Sequence, residues 1–219
     1  MSRSSRSTAK PAAPVRSALR ENVESLAWAV VLMLIVRVFL IQAFRIPSES
    51  MRDTLLVGDF LFVTKLDYGA KLPFTHTRLP GFRHPKTGDV IVFQYPLDPS
   101  TDFIKRCMAT GGQSVEVSHK QVIVDGKALV EPYVLHTDPR EEPGSVSPRD
   151  NRALQRVPPD MLFMMGDNRE NSLDGRFWGM VPMDYVKGRA LFLYFSTGSK
   201  SWWDMPFYIR WNRLFRPIH

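Results

Sequence analysis

The sequence predicts a mostly β domain carried on one N-terminal transmembrane helix, and three observations lead there. A single run, Leu26 to Phe44, is apolar almost without interruption. At 1.5 Å per residue, about 19 residues of helix cross a hydrocarbon core of roughly 30 Å. Beyond it the hydrophobic period changes to that of strands. Phe60–Val63, Val90–Phe93, Phe103–Ile104, Val115–Val117, Val122–Val124, Leu162–Met165 and Ala190–Leu193 are short, β-branched or aromatic, and bounded by Gly, Pro or Asp. The third observation is Gln121-Val122-Ile123-Val124-Asp125-Gly126, a strand entering an Asp-Gly turn, which is a strong local signal for a hairpin.

Taken in order, residues 1–20 hold Ser, Ala, Pro, Arg and Lys with almost no large apolar side chain. Such a segment buries too little surface to offset the entropy of ordering, so a disordered basic tail is expected. Residues 21–45 are expected to form the transmembrane helix. Ile41-Gln42-Ala43-Phe44 lacks the small-x-small pattern of a signal-peptide cleavage site, which favours a retained anchor. Arg37 and Gln42 fall toward its end, where long side chains reach the interface. Arg3, Arg6, Lys10, Arg16 and Arg20 precede the helix, which places the N-terminus in the cytoplasm and residues 46–219 outside.

Immediately after the helix comes Ile46-Pro47-Ser48-Glu49-Ser50-Met51. Proline fixes its own φ and pushes its predecessor to extended geometry, so the chain leaves the helix abruptly. In an extended segment Ser48 and Ser50 point the same way. Residues 137–159 are polar and rich in breakers, which predicts a surface excursion. Residues 201–219 mix Trp202, Trp203, Phe207, Tyr208, Trp211 and Phe215 with Arg210, Arg213 and Arg216. That composition suits a membrane interface, where amphipathic rings and anionic headgroups are both satisfied, and equally an amphipathic helix packed on the domain.

Composition narrows the function. The formal net charge is +7, but the basic residues gather near the termini with no zinc spacing or recognition-helix pattern, so membrane lipid is a better partner than nucleic acid. One cysteine, Cys107, leaves no internal disulfide framework. Histidines 76, 84, 119, 136 and 219 are scattered without ligand spacing, so neither a metal nor any other cofactor is expected.

Ser50 as a nucleophile needs a base, and no histidine stands in a Gly-x-Ser-x-Gly context. Lysine serves if burial lowers its pKa. Lys105 follows Phe103-Ile104 in an apolar strand, whose alternation points it with Phe103 and away from Ile104 and Arg106. A third segment, Met164 to Arg176, is dense in Asp, Asn, Ser and Arg after a buried strand, as expected of a hydrogen-bonded loop that positions side chains. Within it Asp174 and Arg176 are candidates for a structural pair.

In this order and spacing these segments resemble the bacterial type I signal peptidases, membrane-bound Ser-Lys leader peptidases. The resemblance runs from Arg37 to about Phe195. It includes Ile46-Pro47-Ser48-x-Ser50-Met51, Gly58-Asp59, Phe103-Ile104-Lys105-Arg106, Met165-Gly166-Asp167-Asn168-Arg169, Asn171-Ser172, Asp174, Arg176 and Trp178-Gly179. It implies a β domain of coiled antiparallel sheets on the outer face of the inner membrane, cleaving signal peptides from exported preproteins. It implies Ser50 as nucleophile, Lys105 as general base, the Ser50 N–H and Ser48 hydroxyl as oxyanion donors, and Ser172 orienting the lysine. Phe44, Ile46, Met51, Leu55, Phe103 and Ile104 would line shallow pockets favouring alanine. Two departures stand out: Asp53 where the family usually has proline, and Ala109-Thr110-Gly111-Gly112-Gln113 in place of Gly-x-Pro-Gly-Asp. A processing peptidase of the same family with a narrow substrate, and a non-catalytic membrane-anchored domain that binds translocated chains, are the competing readings.

Overall fold

The computed structural model describes residues 18–72, 75, 77–198 and 208–219. The basic tail before Ala18 and the tryptophans at 202 and 203 lie outside them. The N-terminal unit is one helix, α1 (Ala18–Ile35), which a five-residue π-helical stretch (Val36–Leu40) extends. Together Leu19–Leu40 are 22 residues long and apolar enough to cross a membrane.

Helix does not persist to residue 45 as expected. Ile41–Arg45 is strand β1, paired antiparallel with β2 (Asp59–Thr64) from Ile41 opposite Thr64 to Arg45 opposite Phe60. The apolar run conceals this boundary, because residues of a half-buried strand are as hydrophobic as those of a membrane helix. Ladder hydrogen bonds then decide for strand. Lys65 secures the change of structure from the side, its Nζ donating to the carbonyls of Arg37 (2.9 Å) and Val38 (3.2 Å).

Nine further strands follow: β3 (Val90–Tyr95), β4 (Asp98–Thr110), β5 (Ser114–Ser118), β6 (Gln121–Val124), β7 (Lys127–Ala128), β8 (Arg152–Arg156), β9 (Met161–Met165), β10 (Val181–Pro182) and β11 (Val186–Ser196). They form a seven-stranded antiparallel sheet in the order β1-β2-β11-β3-β4-β9-β10 and a four-stranded one in the order β7-β6-β5-β8. All seven expected strand cores are present. The Asp-Gly hairpin is there too, with Asp125 and Gly126 at φ 50° and 75° and Val124 opposite Lys127. The expected excursion over 137–159 ends instead in β8, which pairs with β5. Leu154 on it is exposed, so this strand rests on backbone pairing and carries little alternating signal.

Three apolar clusters form the core. The first joins Leu61, Val63, Val92, Ile104 and Leu193 to Ile46, Met51 and Leu55 of the β1–β2 loop. Strand β4 is buried continuously from Ile104 to Ala109, and between its apolar ends it carries two charged residues, Lys105 and Arg106, into the interior. At its end the unusual Gly111-Gly112-Gln113 closes a tight turn. Gln113 Oε1 accepts from Thr110 N (2.9 Å) and Oγ1 (3.0 Å), supplying the acceptor that an acidic residue could provide.

The β1–β2 loop is also held from the C-terminal segment. Arg213, expected at the interface, is buried against Asp59 at 2.5 Å, and its Nη2 donates to Thr54 O (3.0 Å). The guanidinium supplies the charge partner of a buried carboxylate that also accepts from Leu56 N (2.8 Å) and Ser196 Oγ (2.6 Å). The residues around it form a 3-10 turn, Trp211–Arg213, rather than an amphipathic helix, with Trp211 and Phe215 exposed.

Candidate active site

Residues 48–55 are a run of bends and turns rather than an extended segment, closed by Arg52 N to Glu49 O (3.0 Å) and Leu55 N to Met51 O (2.7 Å). The expected consequence for the serines nevertheless holds, since Ser48 Oγ and Ser50 Oγ lie 3.4 Å apart. Asp53 adopts φ 77° in this loop. Proline, fixed near −65°, cannot take that conformation, whereas aspartate tolerates it. The acid at this position therefore goes with a left-handed turn.

Strand β4 delivers Lys105 to the loop, and Lys105 Nζ donates to Ser50 Oγ. Both residues are buried, and no carboxylate among the described residues comes within ion-pair distance of the amine. Desolvation by burial is the main influence on Lys105 and pulls its pKa down to about 8, against weaker upward pulls from Asp174 and Asp167. As the alternation predicts, the amine shares a face with Phe103, standing 5.5 Å from its ring centroid. Phe103 is itself fixed by stacking on Tyr95 with centroids 4.4 Å apart. A serine hydroxyl in contact with an amine whose pKa is lowered has the chemistry that a nucleophile and general base require.

The loop after β9 holds the Ser50 turn by its backbone. Asn168 N donates to Ser50 O (3.1 Å) and Asn168 Nδ2 to Glu49 O (3.2 Å). Gly166 lies so close beneath that a Cβ there would sit 2.5 Å from Ser50 O and 2.2 Å from Ser172 Oγ. Only glycine allows that approach. Asp167 is locked by Arg106 through Nε (2.9 Å) and Nη2 (2.8 Å), and accepts from Thr54 Oγ1 (2.6 Å), tying loop, strand and nucleophile turn together. Composition alone assigned no task to Gly166, Asn168 or the Arg106–Asp167 pair. A glycine between an apolar strand and an Asp-Asn turn was the available signal.

Asp174 and Arg176 do pair, at 2.9 Å and fully buried, and Asp174 also accepts from Gly166 N (2.9 Å). Burial by itself would raise the Asp174 pKa, but Arg176 and the Gly166 N–H prevail and hold it below the usual carboxylate range. Ser172 Oγ is buried beside Gly166 and makes no hydrogen bond among the described residues, so the structure does not bond it to Lys105.

A cleft of about 310 Å³ opens over the pair, lined by Ser48, Ser50, Phe103, Ile104 and Lys105, with Asp102 and Leu173 at its sides. From Arg106 onward β4 pairs with β9, but before it the edge of β4 facing away from β3 has no ladder partner among the described residues. Of the other residues expected to line substrate pockets, Ile46 lies along an adjoining hollow with Arg45 and Val57, and Phe44 packs half-buried on the first core cluster. Met51 and Leu55 are wholly buried and offer no surface to the cleft. They belong to the first core cluster, because the turn that carries Ser50 points its apolar neighbours into the core.

Comparison with known proteins gives the same direction throughout. The family model described as "Signal peptidase, peptidase S26" matches residues 19–195. Signal peptidase I of Pseudomonas fluorescens is 34% identical over 209 residues, covering 82% of this chain and 73% of that protein. A probable signal peptidase I-1 of Synechocystis is 39% identical over 186 residues, covering 82% and 84%. Signal peptidase I of Aquifex aeolicus is 31% identical over 229 residues, covering 81% and 85%.

Proposed function

The chain belongs to the signal peptidase family, peptidase S26, and is a serine endopeptidase; from that premise we propose that it cleaves signal peptides from exported preproteins at a membrane surface, with Ser50 and Lys105 as its catalytic dyad. One observation supports the mechanism: the buried amine of Lys105 has Ser50 Oγ as its hydrogen-bond partner and, among the described residues, no carboxylate within ion-pair distance. Neutral Lys105 takes the hydroxyl proton as Ser50 Oγ attacks the scissile carbonyl, and the C–O bond forms. The developing oxyanion is met by the Ser50 backbone N–H and the exposed Ser48 hydroxyl. Lys105 returns the proton to the leaving amine as the C–N bond breaks. Water then attacks the Ser50 ester with Lys105 again as base, releasing the signal peptide with a new carboxylate.

Ser172 bears an unpartnered buried hydroxyl beside this pair, available to the amine once Ser50 is acylated. The unpaired β4 edge over Asp102–Ile104 suits an extended substrate added as a strand, with alternate side chains seated in the cleft. Small residues fit such shallow depressions and large ones clash.

Leu19–Leu40 is read as the membrane anchor, with the basic tail on the cytoplasmic side and the catalytic domain outside. Ser50 follows Leu40 by ten residues, a reach of at most about 36 Å even for a fully extended chain. Enzyme and membrane-embedded substrate held in one bilayer meet at raised effective concentration. The test is incubation of the detergent-solubilised chain with a preprotein, followed by N-terminal sequencing of the product. Cleavage after a small residue at the signal-peptide boundary is expected, lost in Ser50→Ala. Cleavage by the Ser50→Ala variant at the wild-type rate refutes the assignment.

A further inference from the structure

Another cavity, of about 250 Å³, is lined by Gln42, Lys65, Lys71, Gln94, Asp184 and Lys187. It serves no step of the cleavage reaction. Three lysines line a space several times the roughly 30 Å³ of a water molecule. Lys71 makes no side-chain hydrogen bond among the described residues. Lys65 spends two of its three N–H groups on the carbonyls of Arg37 and Val38, leaving one for the cavity. Lys187 pairs with Asp102 at 2.7 Å, the residue that also borders the catalytic cleft. Asp184, the one carboxylate of the lining, interacts electrostatically with Arg78.

The surplus of positive charge registers on Lys65, whose pKa is lowered first by desolvation and then by repulsion from Lys187 and Arg37. An anion entering the cavity relieves that repulsion, and the amides of Gln42 and Gln94 add polar groups beside the ammonium ones. The location narrows the source of the anion. The carbonyls that hold Lys65 belong to the last turn of the apolar helix, and Gln42 begins the strand that replaces it. In a spanning helix that point lies where hydrocarbon gives way to headgroups.

We propose that this cavity is a headgroup site for an anionic phospholipid, its phosphate seated among Lys65, Lys71 and Lys187. The proposal rests on reading Leu19–Leu40 as a membrane span. It gives the catalytic domain a lipid contact of defined charge, apart from any general attraction of basic residues to the bilayer.

Calorimetric titration of the detergent-solubilised full chain tests it, with short-chain phosphatidylglycerol, short-chain phosphatidylcholine and inorganic phosphate as the three probes. Phosphatidylglycerol is expected to bind one per chain and at least tenfold tighter than either alternative. Lys71→Gln should weaken it about tenfold, and Lys71→Arg should restore it. Equal affinity for the two lipids, equal binding by Lys71→Gln, or phosphate binding as tightly as phosphatidylglycerol each overturns the headgroup site. Alkaline carbonate extraction of membranes from cells carrying the wild-type chain separates the two readings. Retention without phosphatidylglycerol selectivity sinks the headgroup site alone, whereas release into the wash sinks the anchor on which it rests.

Discussion

Replacing Lys105 by methionine should abolish cleavage and, near neutral pH, make the protein more stable. Lys105 is 4% exposed, and its pKa falls from 10.5 to about 8. A lysine whose folded-state pKa lies below its unfolded value opposes folding wherever the unfolded chain binds a proton that the folded one resists. That penalty is absent above the unfolded pKa, grows by about 1.4 kcal/mol per pH unit as pH falls from 10.5 toward 8, and then levels off. At pH 7 it amounts to about 3 kcal/mol. Methionine is similar in length and has no charge to desolvate. The variant forfeits the bond to Ser50, worth about 1 kcal/mol, so a net gain of about 2 kcal/mol remains. For a chain of this size that raises Tm by about 4–8 °C. The assay is thermal unfolding of wild type and variant, followed by near-UV circular dichroism at pH 7, 8.5 and 10. The advantage should be largest at pH 7 and gone by pH 10. A variant less stable than wild type at pH 7, or an advantage that does not change with pH, refutes the premise that burial depresses the Lys105 pKa.

Three other outcomes follow from the same geometry. The kcat/KM for a short peptide substrate should rise with pH through about 8 and then flatten, because the base works only without its proton; a profile flat from pH 6 to 9 counts against it. Gly166→Ala should cost about 1–3 kcal/mol in stability and about a hundredfold in kcat, since the added methyl meets the backbone of Ser50 and displaces the nucleophile. Peptide hydrolysis within twofold of wild type would show that the close approach is inconsequential. Asp53→Pro, although it installs the residue usual in the family, should destabilise by about 1–3 kcal/mol because φ there is 77°, while Asp53→Gly should be nearly neutral. Equal melting temperatures for the proline variant and wild type would contradict that backbone assignment.

Much of the fold was legible because strands with one face on an apolar core carry their period in the sequence, as Phe60–Val63 and Val122–Val124 do. Where backbone pairing rather than side-chain burial defines the element, the pattern was silent. Ile41–Arg45 read as helix since its neighbours are uniformly apolar, and Arg152–Arg156 read as loop because its side chains face water. The site divides in the same way. Ser50 and Lys105 are side-chain chemistry and were visible as residue types in context. The contacts of Asn168 and Gly166 with the nucleophile turn are main-chain contacts between distant segments. The burial of Met51 and Leu55, and of Arg213 against Asp59, likewise depends on which way a turn faces, and spacing does not encode that.

The long reach of these contacts bears on when the enzyme comes into being. Ser50 and its base are 55 residues apart in the chain, and Arg213 is 154 residues beyond the Asp59 it neutralises. A topology so dominated by distant pairings folds slowly, because loop closure must be met before contacts repay it. During synthesis the serine emerges first, and it lacks the Asn168 N–H that fixes its backbone until the chain has grown past β9. A ribosome-bound intermediate therefore carries the nucleophile as an ordinary serine on an unformed turn. On the proposed mechanism, proteolytic capacity arrives only when the last quarter of the polypeptide closes over the first, and the nascent chain is chemically inert until it is nearly complete.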